Sequence, residues 1–161
     1  MTEIPGDDSR GFAAVERAHL RERYLPGFEW TVEDSPSALH QPRTALAQAR
    51  IGLVDTCGAH LVGHPPVGAS GRAALVPVDA PFTLTHSGYD VPRALRDPEV
   101  VHPVGTLREL QAEGVIGEVA ATAVSVMGGV LIASRLLERG VPSAVESMLQ
   151  QQVDLALLVP A

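Results

Sequence analysis

Lysine is missing from this 161-residue chain; all twelve of its basic side chains are arginines. No side chain can therefore form a Schiff base, which excludes lysine-anchored pyridoxal phosphate and lysine-dependent aldolase chemistry. Cysteine occurs once, at Cys57. That rules out an internal disulfide framework or dithiol couple and fits a reducing, cytoplasmic setting. Long apolar runs are missing too. Nothing approaches the ~20 residues that cross a bilayer, so no membrane partner is expected. The opening "MTEIPGDDSRGF" has no basic segment leading into an apolar one, and no signal peptide is expected. The formal charge of −7 leaves no electrostatic footprint for nucleic acid. There is no phosphate-cradling glycine loop, no dinucleotide fingerprint and no haem-attachment motif.

What is present is an ordinary globular composition, 45% hydrophobic and 19% charged. The length suits one core-forming domain. Residues 1–41 read as an N-terminal arm with one short helix at "ERAHLRERY", its irregular stretch pinned by Trp30. Residues 42–161 read as a single α/β domain. A helical turn is expected at Thr44–Ala49, followed by the apolar run "RIGLV" from Arg50. "AALVPV" is interrupted by Pro77 and so reads as an edge strand. "VVHPV" leads into "TLRELQAEG", where Thr106 and Glu109 make a capping-box pattern and Gly114 a stop. "IGEVAATAVSVMGG" runs into "VLIASRLLERG", with Leu131, Ser134, Arg135 and Glu138 at helical spacing and Gly140 as the cap. Ser143 and Glu146 repeat the capping box. "DLALLVP" is a continuous apolar run that reads as a strand buried on both faces. Strands alternating with capped helices predict a layered α/β fold, its mostly parallel sheet flanked by helices.

In such sheets ligands bind beyond the carboxyl ends of the strands, so the residues delivered there are the candidates. The first strand delivers Asp55, Thr56 and Cys57, with His60 and His64 following in "LVDTCGAHLVGH". The thiol can serve as a nucleophile with His60 as its base, or be a small buried hydrophobe. "TLTHSGYD" delivers His86, Tyr89 and Asp90. Asp90 can orient the His86 imidazole and, ahead of Val91-Pro92, can also cap a helix. His60 and His86 on adjacent loops are candidate ligands for a divalent transition metal. "SVMGG" delivers Ser125, Gly128 and Gly129, where the backbone can approach a substrate or pack closely against a helix. Thr56, Tyr89, Ser125 and Gly128 are thus the substrate-binding candidates, and Cys57, His60, His86 and Asp90 the catalytic ones. His102, in an apolar run, reads as a core histidine with a satisfied partner.

"PRTALAQARIGLVDTCGAHL", "LTHSGYD", "DPEVVHPVGTLRELQAEGVIGEVA", "SVMGG" and "VDLALLVP" follow one another here from Pro42 to Pro160. Together they resemble the glycine/sarcosine/betaine and D-proline reductase B-subunit family, the selenoprotein B family. That resemblance implies an α/β fold and reductive cleavage of a bond at the α-carbon of an amino acid or its N-methyl derivative. It also implies a redox selenocysteine or cysteine just after a strand similar to "LLVP". No counterpart of that residue stands here, since the last residue is Ala161, and Cys57, in an earlier loop, does not inherit the role. Three functions are compatible with this pattern. The chain is an enzyme acting on a small amino-acid-like or thiol-containing substrate through Cys57, His60, His86 and Asp90. Alternatively it is a subunit whose partner supplies the redox cysteine, or a non-catalytic binding module. A homo- or hetero-oligomer is expected in each.

Overall fold

A computed structural model describes residues 9–30, 41–130 and 132–161 of the chain. Most of the expected irregular arm, with His40, lies outside the described residues, as does Leu131. The chain divides into two compact units, Met1–Ala38 and Leu39–Ala161.

In the first unit, helix α1 spans Ser9–Arg23. Trp30 donates its indole N–H to the Ala13 carbonyl at 3.0 Å and meets Phe28 edge-on, so the tryptophan ties the segment after the helix back onto α1.

The second unit is built around strand β1, Arg50–Asp55, after a 3₁₀ turn at Leu46–Gln48. On one side β1 pairs in parallel with β5 (Glu118–Val119) and then β6 (Thr122–Ser125); on the other it pairs in parallel with β7 (Leu155–Val159). Strand β3, Ala74–Pro77, closes the β6 side in antiparallel register, at the sheet edge that Pro77 requires. Strands β2 (Ala59–Leu61) and β4 (Phe82–Leu84) form a separate antiparallel pair. The result is a mixed, mainly parallel sheet flanked by helices, the α/β architecture that the alternation of elements predicts. Ile51 and Leu53 of β1 face a core completed by Val104, Leu107 and Ile116. Among the described residues no helix is long and apolar enough to cross a membrane.

Three local expectations give way. Helix α3 begins at Val104, before Thr106, and the capping box is not used. Glu99 in the preceding turn caps it instead, accepting the amides of Gly105 (2.9 Å) and Thr106 (2.8 Å). Helix α4 runs unbroken through Ala133–Gln150, past Gly140 and over Pro142. Gly140 is a packing residue rather than a cap; a Cβ there would lie 2.8 Å from the Gly71 carbonyl oxygen. Strand β7 is parallel as expected but not buried on both faces: Ala156, Leu157 and Leu158 are exposed. It pairs only with β1, and α4 lies over the neighbouring strands, where Met148 sits against Gly52 of β1 and the Gln151 side chain binds the Thr122 backbone of β6. "VVHPV" is a turn entering α3 rather than a strand. Helix α2, Val91–Arg96, starts on Asp90 with Pro92 in its first turn. Gly114, at φ +73°, ends α3.

Candidate functional site

The carboxyl ends of β1 and β6 are stitched together. Gly58 N–H bonds the Val126 carbonyl at 3.0 Å, and Gly128 N–H bonds the Thr56 carbonyl at 2.8 Å. The end of the chain after β7 joins them, Ala161 N–H donating to Thr56 Oγ1 at 2.8 Å. The segment after β4 closes the group from above, with the Tyr89 hydroxyl donating to the Cys57 carbonyl at 2.7 Å. Gly58 is required in this loop: its φ is +72°, and a Cβ would fall 2.3 Å from the Thr85 carbonyl oxygen.

Beneath this surface lies a buried polar network centred on Asp55. One carboxylate oxygen accepts the Ser125 hydroxyl at 2.5 Å, the Cys57 thiol at 2.9 Å and the Cys57 amide at 3.2 Å. The other accepts Nδ1–H of His102 at 2.7 Å. Ser125 in turn accepts the Ala59 amide at 2.8 Å. Asp55, Cys57 and Ser125 are wholly enclosed, and His102 is 1% exposed. A buried carboxylate is tolerable only when so met. His102 is thus the core histidine with a partner that its apolar setting predicts, and the partner is Asp55.

This geometry redistributes the candidate residues. Cys57 is buried, and its thiol is pushed well above the ordinary range by burial, then by the Asp55 charge and hydrogen bond, which leaves a neutral donor rather than a thiolate. His60 does not reach it. Its Nδ1 lies 3.2 Å from the Leu61 carbonyl and therefore carries the proton, while Nε2 accepts from Thr85 Oγ1 at 3.0 Å. His60 and His64 instead line a cleft of about 230 Å³ with Pro65, Pro66 and Arg72. Asp90 caps α2, accepting the Arg93 amide at 3.3 Å, and does not orient His86. Among the described residues, the group of three potential ligands close enough to share a metal ion is Asp55, Cys57 and His102, with ligand atoms within 4.8 Å of one another. His60 and His86 are not part of it.

His86 stands apart from the rest. Its Nδ1 accepts the Gly88 amide at 2.9 Å, and its ring lies against Tyr89 with centroids 4.5 Å apart. With Nδ1 accepting, the proton of the neutral ring sits on Nε2. That Nε2 is shielded from solvent and has no hydrogen-bond partner. Burial lowers the imidazole pKa and keeps the ring neutral. A Cβ built on Gly128 would lie 3.0–3.1 Å from Ala161 O, His86 Nε2 and Thr56 O, so the absence of a side chain there lets three polar atoms converge. The structure therefore brings together His86, Thr56, Gly128 and Tyr89, and assigns Cys57, Ser125 and Asp90 to structural bonds. Asp55 and His102 carry the buried network although neither pattern nor spacing marked them as a pair.

These features describe an α/β domain whose polar groups gather where parallel strands end, the position at which such folds take ligands. The chain belongs to the glycine/sarcosine/betaine reductase selenoprotein B family, whose model matches residues 70–160, more than half of its length. It is also 47% identical over 47 residues to the sarcosine reductase complex component B subunit beta of Peptoclostridium acidaminophilum. That alignment covers 29% of this chain and 11% of the relative, so the match spans a small part of the relative's length. No solved structure shows significant similarity.

Proposed function

We propose that this protein is a subunit of a reductase complex acting on a small amino-acid-like substrate. The observation that carries the reading is the family match across residues 70–160, which includes His86, Tyr89 and Gly128. The relative's designation as a component of a sarcosine reductase complex supports assembly with other chains. In this reading a dithiol reductant supplies two electrons and two protons, the bond from the substrate α-carbon to nitrogen breaks, and the amine leaves. The redox thiol or selenol belongs to a partner, because Cys57 is enclosed and held protonated by Asp55.

The substrate end of the site lies at the loops after β1 and β6, beneath His86. A neutral Nε2–H donor there suits a carboxylate or developing anion, which Thr56 and the Gly128-Gly129 backbone can flank. The Met127–Gly129 loop must open to admit it, because Nε2 is covered as it stands. A transition metal, where one takes part, has its donors in Asp55, Cys57 and His102 rather than in His60 and His86. The test is reconstitution with the other subunits of the native host, measuring amine release from glycine, sarcosine and betaine. His86→Ala is expected to lower turnover by about 10²-fold, and Cys57→Ala to leave it within about threefold if the variant folds. A Cys57→Ala complex that is folded but inactive sinks the assignment of the redox role to a partner.

A further inference from the structure

We infer that two copies of this chain pair edge to edge through β7, antiparallel, about a two-fold axis at Leu157. Val159 accepts the Thr56 amide, so Leu155, Leu157 and Val159 direct their backbone groups toward β1. Ala156 and Leu158 then direct theirs outward, where no strand among the described residues meets them. An axis at Leu157 sets Ala156 of each copy opposite Leu158 of the other. Both pairs exchange N–H and C=O, so every outward group of these two residues on both copies is satisfied. The side chains fit the same register, Leu158 lying beside the small Ala156 of the partner strand. Such isologous pairing closes on itself and needs no further component.

Charge points to the same occupant. From Leu155 to Ala161 there is no charged side chain, no bulge, and no proline within the strand, the devices that keep a free edge from pairing. Asp154, the nearest acid in sequence, is already engaged by the Thr44 hydroxyl (2.7 Å) and the Arg50 amide (2.9 Å). The net charge of −7 on each copy is screened beyond about 8 Å at physiological salt. A strand alone buries less than the ~800 Å² per partner of a stable interface. The flank of α4 supplies more. Ser147 faces the β6 side and Met148 faces Gly52 of β1, so the next positions round the helix, Val145 and Leu149, overhang β7. They are 51% and 73% exposed and continue a stripe through Val141 and Leu137, with Glu138 at its border; Leu158 below is 68% exposed.

Sedimentation equilibrium of the full chain tests this. Wild type is expected to be dimeric at micromolar concentration. Ala156→Pro removes only an outward N–H, which an edge strand tolerates, and is expected to raise the dissociation constant more than about tenfold while circular dichroism stays unchanged. Leu158→Arg is expected to do the same. Hydrogen exchange needs no variant: the amides of Ala156 and Leu158 should gain protection as protein concentration rises. A monomer throughout, a dimer indifferent to both folded variants, or protection of these amides only on adding a different host protein would each overturn the inference. None of these outcomes depends on reductase activity, so failure here and failure of the proposed function are separable.

Discussion

Asp55 collects three side-chain donors and one amide in a space that excludes water. Removing one partner leaves a buried carboxylate partly unmet, and His102→Ala is expected to destabilise the domain by about 3–5 kcal/mol in urea unfolding. The thiol should behave as a structural donor: iodoacetamide at pH 8 should label the native protein far more slowly than the urea-unfolded chain. Rapid native labelling would contradict the enclosure of Cys57. Alkaline pH should weaken the fold. The thiol is raised from its ordinary 9.0, and the Tyr89 phenol is pushed up to about 12 by burial, then by Cys57 and Asp55. For groups raised in the folded state, the contribution is whole below the unfolded value and is lost as pH climbs toward the folded one. Urea midpoints should therefore hold steady from pH 7 to about 8.5 and fall above about 9, with Tyr89→Phe reducing the fall between about 10 and 12. At this scale the sequence was partly readable. Asp55 at the end of an apolar strand and His102 in an apolar run each demanded a buried partner, but 47 residues separate them, and nothing local paired them.

Among the elements, those whose limits are set locally could be read from the chain. Asp90 with Pro92 starts α2, Gly114 ends α3, Pro77 sets β3 at an edge, and the Arg50 run forms the central strand. Where a distant group decides, local pattern misled. Glu99 caps α3 through its carboxylate, so Thr106→Ala, which removes only a hydroxyl contact to that carboxylate, should cost less than Glu99→Ala. The latter should cost about 0.5–2 kcal/mol in thermal or urea unfolding. Gly140 reads as a stop, yet its missing side chain is needed for packing on Gly71, and α4 continues. Gly117 carries a similar constraint: a Cβ would lie 2.4 Å from the Gln48 carbonyl carbon. Gly117→Ala should cost about 1–3 kcal/mol, because backbone cannot step aside as a flexible side chain can.

For the molecule as a whole, the alternation of apolar runs and helical segments was enough to give the α/β class, and the rule for parallel sheets gave the end at which to look. It did not give sheet order. Strand β7 reads as a central strand because it is apolar throughout, but it occupies an edge and pairs only with β1. Its exposed leucines are the mark of an assembling surface, a whole-molecule property that composition within one strand does not reveal. In the site, His86 was identifiable as the residue after β4, whereas its separation from His60 and Asp90 depends on how the β2–β4 pair and α2 turn away from it. The central claim is that this chain works as a subunit of an amino-acid-type reductase complex. The most direct measurement is amine release from glycine, sarcosine and betaine by the complex reconstituted from purified host subunits with a dithiol reductant, with and without this protein. Release from one of the three that requires this chain and drops about 10²-fold with His86→Ala is the predicted result; equal release whether or not the chain is present would contradict it.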